Sequence, residues 1–209
     1  MKSVKAFFCD FGGVLYKTPD MRWLLHFQRF FGRKVEDTPL AMFISQTPSA
    51  YTNAVMSGII SEDEVWENLI QELRIPPKLV NHMRSAAISQ RRLNHPMIQY
   101  LNNLRPRFLT AILTNAASNF RATYCQSFDM ENWVDRVIIS AEIGMAKPDP
   151  QIFHKATQLM GVSPEESVFI DDLPDNIKAA RAAGMQSYQF TDVKKIIPIL
   201  DQVLNQAGL

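Results

Sequence analysis

FFCDFGGVLY, residues 7–16, is an apolar run that ends in an aspartate and continues into two glycines. The apolar part reads as a strand buried on both faces, as a parallel sheet requires. Asp10 stands at its carboxyl end, and Gly12 and Gly13 strip side chains from positions just beyond it. A charge at the mouth of a buried strand, with cleared space next to it, is the arrangement that the rest of the chain has to explain.

The first strand spans Val4–Cys9, and four more compact apolar runs follow at Phe108–Leu113, Val137–Ile139, Val168–Ile170 and Met185–Phe190. Amphipathic helices separate them. Asn94-His95-Pro96 reads as an N-cap with proline in the first turn, opening a helix that ends before Pro106. Asp149-Pro150 opens another, with Ile152, Phe153, Ala156, Leu159 and Met160 on one face and Gly161 as its stop. Pro174 opens a third, which Gly184 ends. This alternation predicts an α/β fold, a doubly wound parallel sheet of Rossmann-like type with right-handed crossovers. Ligands of such sheets bind at the carboxyl ends of the strands.

Residues 16–91 differ. They show helical pattern and no strand: Thr18-Pro19 starts one helix, Ser61-Glu62-Asp63-Glu64 is a capping box opening a second, and Pro76-Pro77 precedes a third. The expected organisation is a core of residues 1–15 and 92–209 with an all-helical cap, 16–91, inserted after the first strand. Trp23, Phe27, Phe30 and Phe31 read as cap core, and Arg22 and His26 as a solvated face.

With 209 residues and 46% hydrophobic content, the chain can bury a sizeable core without metals or disulfides to hold it. A formal net charge of +1 gives no global attraction to nucleic acid or an anionic membrane. Cys9 and Cys125 are the two cysteines, which fits a reducing compartment, and both read as packing residues. No stretch reaches the ~18 to 20 apolar residues of a membrane helix, and the first residues lack a signal-peptide pattern. The expectation is a cytoplasmic protein, monomer or homodimer, with no nucleic-acid or membrane partner.

Polar groups gather at the strand ends: Asp10 after the first, Thr114-Asn115 after FLTAIL, Lys147 in the loop GMAKPDP, and Asp171-Asp172 after VFI. Adjacent parallel strands would bring them to one edge. Three carboxylates there repel one another, and a divalent cation relieves the conflict. Hard oxygen ligands suit Mg²⁺, and a lysine and a hydroxyl beside it suit a phosphoryl group.

This set resembles the haloacid dehalogenase superfamily of phosphotransferases across nearly the whole chain. DFGGV resembles its first motif, DxDGT or DxDGV; LTN the second; AKPDP the lysine motif; FIDDLPDN the acidic fourth. The helical insert falls where the family places its first type of cap. The resemblance implies that Asp10 is the nucleophile of an aspartyl-phosphate intermediate and a metal ligand. It implies that Asp172 binds Mg²⁺ directly and Asp171 through water, with the Gly12 carbonyl as a further ligand. Thr114 and the Asn115 backbone would hold the phosphate of a small phosphorylated metabolite, and Lys147 would neutralise charge between it and Asp10.

Gly12 departs from the pattern, because family phosphatases carry there a second aspartate that serves as acid and then base. Such a group contributes typically ~10²- to 10⁴-fold in rate. Three explanations stand: a substrate with a good leaving group, a substitute among Tyr16, Lys17, Thr18 and His26, or a catalytically weak phosphate-binding or regulatory protein. Loops like DFGGV resemble the branch with sugar-phosphate phosphatases and the phosphatase domain attached to epoxide hydrolases, which favours an active enzyme. Asp175 and Asn176 are expected either to orient metal-bound water or only to complete a helix turn.

Overall fold

The computed structural model describes residues 3–17, 50–73, 76, 78 and 92–206. In chain order its main elements are β1 (Ala6–Cys9), β2 (Tyr16–Lys17), α1 (Ala50–Met56), α2 (Glu62–Leu73), β3 (Arg92–Leu93), α3 (His95–Leu104), β4 (Leu109–Thr114), β5 (Arg136–Ile139), α4 (Ser140–Ile143), α5 (Pro150–Leu159), β6 (Ser167–Asp171), α6 (Pro174–Ala182), β7 (Gln186–Gln189) and α7 (Val193–Gln206). A π-helical turn, Arg121–Cys125, lies between β4 and β5.

Five strands form one parallel sheet in the order β5-β4-β1-β6-β7. All five runs expected from the sequence are in it. Its central strands are buried along nearly their whole length because both faces are covered. Phe7, Cys9, Ile112, Val137, Ile139, Val168 and Ile170 face one layer, with Met97 and Leu101 of α3 and Ile196, Leu200 and Leu204 of α7. Phe8, Ala111, Leu113, Ile138 and Phe169 face the other, with Ile152, Phe153 and Ala156 of α5 and Ile177 and Ala180 of α6. A one-residue slip would turn every side chain to the wrong layer, so this alternation fixes the register. Cys9 lies beside Ile112 and Ile170, which sets the next residues, Asp10, Leu113 and Asp171, side by side.

The helix signals behave as their chemistry dictates. The Asp149 side chain accepts from the Gln151 N–H at 2.9 Å. The Ser61 N–H donates to Glu64 Oε2 at 2.7 Å and the Glu64 N–H to Ser61 Oγ at 3.2 Å, the reciprocal box at the head of α2. Asn94 does not cap α3 with its side chain. Its Nδ2 instead donates to the Val14 carbonyl at 2.8 Å, and its N–H to that of Leu15 at 2.8 Å, tying α3 to the loop after β1.

The expectation of no strand in 16–91 needs correction. Tyr16–Lys17 pairs antiparallel with Arg92–Leu93. Two residues are too short to show a period, so the ribbon left no pattern to read. Helices α1 and α2 lie between its strands. The helix expected from Thr18-Pro19, the cluster Trp23, Phe27, Phe30 and Phe31, the residues Arg22 and His26, and the helix after Pro77 lie outside the described residues. Among the described residues no helix is long and apolar enough to cross a membrane.

Candidate active site

Asp10 extends β1 by one residue: its N–H donates to the Ile170 carbonyl at 2.9 Å, carrying the ladder to the sheet's carboxyl edge. The chain then turns tightly, with the Leu15 and Tyr16 amides both reaching the Phe11 carbonyl at 2.9 Å. The Phe11 ring stacks on Tyr16 at 5.1 Å and meets Phe120 edge-on at 5.2 Å, which anchors the turn in the core.

The two glycines have different reasons. Gly13 has φ +79°, and a Cβ there would stand 2.2 Å from Asp172 Oδ2. Only glycine allows both that backbone and that approach. A Cβ on Gly12 would meet nothing within 4 Å. Gly12 therefore answers to no steric demand and leaves open space beside the acidic cluster.

Lys147 lies at the centre of the site, buried. Its Nζ donates to Asp10 Oδ1 and Asp171 Oδ2, each at 2.7 Å, and to the Leu113 carbonyl at 2.9 Å. All three ammonium hydrogens are thereby engaged. Its backbone is clamped by Asn115, whose Nδ2 donates to the Lys147 carbonyl at 2.7 Å while its Oδ1 accepts the Lys147 N–H at 2.8 Å. The sequence suggested a phosphate-binding backbone at Asn115; the side-chain clamp is an addition that no local pattern announced. Thr114 is buried at the end of β4, in register with Ile139.

Asp171 is fully buried and held from several sides. Besides Lys147, the Leu173 N–H donates to Oδ1 at 2.8 Å, and Asn176 Nδ2 lies 3.0 and 2.9 Å from the two oxygens. Asn176 thus orients a carboxylate from the first turn of α6, while Asp175 beside it is exposed. Asp172 is partly exposed and faces the Gly13 turn. Cys9, one residue from Asp10, is buried, and its thiol is raised well above the usual range by burial and then by Asp10, so it is a packing group. Cys125 is likewise buried.

One carboxylate oxygen from each of Asp10, Asp171 and Asp172 lies within 4.8 Å of the others. Three carboxylates face one ammonium. Burial pushes the Asp10 carboxyl up to about 7, with Asp171 pushing the same way and Lys147 pulling against them. Partial burial and then Asp171 raise Asp172. Burial pulls Lys147 down, but the two carboxylates more than offset it, and its ammonium is held above its ordinary range. The donor set is all hard oxygen, and its charge is under-compensated. It fits a small divalent cation such as Mg²⁺.

A doubly wound parallel sheet carries an aspartate-lysine cluster at its carboxyl edge, and the comparisons place the chain in a family of hydrolases. The profile of haloacid dehalogenase-like hydrolases matches residues 4–184, and the chain belongs to that family. It is 33% identical over 137 residues to bifunctional epoxide hydrolase 2 of Sus scrofa, covering 63% of this chain and 25% of that protein. It is 29% identical over 147 residues to phosphoserine phosphatase of Thermus thermophilus, 68% of this chain and 58% of that one. The chain thus spans about a quarter of the pig hydrolase and little over half of the phosphatase. A haloacid dehalogenase family enzyme from Bacteroides thetaiotaomicron, solved with magnesium and inorganic phosphate, superposes with a TM-score of 0.76 over 94% of this chain and 98% of that one at 22% identity. That likeness shows the fold.

Proposed function

We propose that this protein hydrolyses a small phosphomonoester, such as a sugar phosphate, with Mg²⁺ and an aspartyl-phosphate on Asp10. The observation that carries the reading is the Lys147 ammonium 2.7 Å from both Asp10 and Asp171, with Asp172 in the same cluster. Asp10, Asp172 and the Gly12 carbonyl would hold the cation, with Asp171 acting through water. Mg²⁺, when bound there, supplies the charge that lets an anionic ester approach three carboxylates.

The chain's own residues then have distinct tasks. Lys147 keeps Asp10 ionised and oriented, and offsets charge as the phosphoryl group arrives. Thr114 donates to a phosphoryl oxygen, and Asn115 holds Lys147 in place. The Asp10 carboxylate attacks phosphorus and the ester oxygen departs with its electron pair; water then attacks the aspartyl-phosphate and restores Asp10. Gly12 offers no proton to the departing oxygen. Tyr16 is buried against Phe11, Lys17 is exposed, and Thr18 and His26 lie outside the described residues. The substrate this favours has a leaving group stable without its proton, as in an anomeric or acyl phosphate. Residues 16–91 would form the cap that closes over the strand ends and selects the substrate.

Gly12 also motivates a second reading, a catalytically weak phosphate-binding protein. Incubation with Mg²⁺ and a panel of sugar phosphates and an aryl phosphate separates the two. Turnover abolished by Asp10→Asn supports the enzyme; phosphate binding without turnover supports the second reading.

A further inference from the structure

Ser140 is the first residue after β5 and is fully buried. Its hydroxyl accepts the Ala116 N–H at 2.9 Å and donates to the carbonyl of Met56, the last residue of α1. The second bond completes a count. A helix leaves its last four carbonyls without helical partners. In α1, the Asn53 carbonyl is taken by the Ser57 amide at 2.9 Å, Ala54 by Ile59 at 2.8 Å and Val55 by Gly58 at 3.1 Å. The fourth, Met56, is taken by Ser140 from the core.

The surrounding contact is close. Gly58, at φ +76°, lies so near Ala141 that a Cβ would stand 2.7 Å from its carbonyl oxygen. Val55 and Val65 of the insert bury against Ala117 in a small apolar cluster separate from the two main layers. Ser140 thus touches the insert with one end of its hydrogen-bonding capacity, and with the other a loop amide two residues past Thr114. It also has an alternative acceptor, because the Ala116 carbonyl lies 3.3 Å from the same Oγ. With α1 withdrawn, the hydroxyl proton can turn to the loop.

We propose that Ser140 is a positioning residue that couples the seating of α1 to the geometry of the loop that starts at Asn115, directly after Thr114. Only its consequence for phosphate rests on the phosphatase reading; the coupling itself does not. A buried hydroxyl with two alternative acceptors makes the two arrangements discrete, and each one sets a different pull on the loop.

Amide hydrogen exchange of the full chain tests this without ligand. In Ser140→Ala, amides of residues 57–60 and of Ala116 should exchange about ten-fold faster, the loss expected for one buried hydrogen bond. Those of β1 and β6 should keep wild-type protection. Gly58→Ala disturbs the seat of α1 against Ala141 while keeping the Ser140 hydroxyl, and covers the case in which Ser140→Ala fails to fold. It should speed exchange at Ala116 as well as at 57–60. Acceleration confined to the insert would overturn the coupling, as would unchanged exchange in both variants. Titration with inorganic phosphate and Mg²⁺ should then show about ten-fold weaker binding in Gly58→Ala than in wild type, and equal binding would also overturn it. If wild type binds no phosphate, the phosphatase reading falls, while the exchange result still decides the coupling.

Discussion

Replacing Lys147 by methionine keeps an unbranched stem and removes the ammonium from between two buried carboxylates. The Nζ makes its contacts at 2.7, 2.7 and 2.9 Å, so its loss leaves Asp10 Oδ1 and the Leu113 carbonyl without this donor. Asp171 retains Leu173 and Asn176, so Asp10 bears most of the cost. Breaking a buried ion pair costs about 3–5 kcal/mol. At this chain length that is a fall in Tm of roughly 10 °C. The deficit should depend on pH. Asp10 is already pushed up to about 7, and removing Lys147 raises it further. The folded state therefore takes up a proton more readily than the unfolded one. For Asp10 this makes stability without metal decline as pH rises from its ordinary 3.8 toward about 7. Lys147 is raised, so it stays charged across that window. The variant should be far less stable than wild type at pH 8 and closer to it at pH 5.5. Guanidinium unfolding in EDTA, followed by tryptophan fluorescence, measures this. Adding Asp171→Asn should recover part of the loss in a double-mutant cycle. Equal stability of variant and wild type at pH 8, or a deficit that grows toward pH 5.5, would refute the reasoning.

Other outcomes follow from the same geometry. Gly13→Ala should lose about 1–2 kcal/mol from backbone strain alone, and should weaken Mg²⁺ binding because its Cβ would displace Asp172. Gly12→Ala, with nothing within 4 Å of its Cβ, should melt as wild type does; thermal scans with and without Mg²⁺ compare the two. Gly12→Asp should raise turnover of alkyl phosphates by ~10²-fold or more and that of aryl phosphates less; no gain on either would point to a proton donor elsewhere or to substrate-assisted chemistry. Mg²⁺ should raise Tm more at pH 8 than at pH 5.5, since Asp10 must lose its proton to bind it; an equal rise at both would remove Asp10 from the ligand set.

The sheet was legible because parallel strands covered on both faces become near-continuous apolar runs. Even β7, a polar edge strand of Gln186, Ser187, Tyr188 and Gln189, was found through its buried neighbours Met185 and Phe190. The site's carboxylates were legible for a related reason: Asp10 and Asp171-Asp172 end such runs, while Lys147 showed itself through its loop motif. What was not legible lies between residues far apart in the chain. The Asn115 clamp spans 32 residues and the Ser140 bridge to Met56 spans 84. The grip of Asn176 on Asp171 falls within one helix turn, yet the choice between orienting and merely helical roles needed the side chain's direction.

The sequence by itself determined which groups stand at or beyond the strand ends along the chain, Asp10, Thr114, Lys147 and then Asp171-Asp172, because burial and charge are written residue by residue. The tertiary structure alone decided that one ammonium bridges Asp10 and Asp171, and that Gly13 is required where Gly12 is merely empty. Apolar periodicity is a local property of the chain. Hydrogen bonds and close approaches are decided by differences of a few tenths of an ångström in the distance between segments, and only packing fixes those.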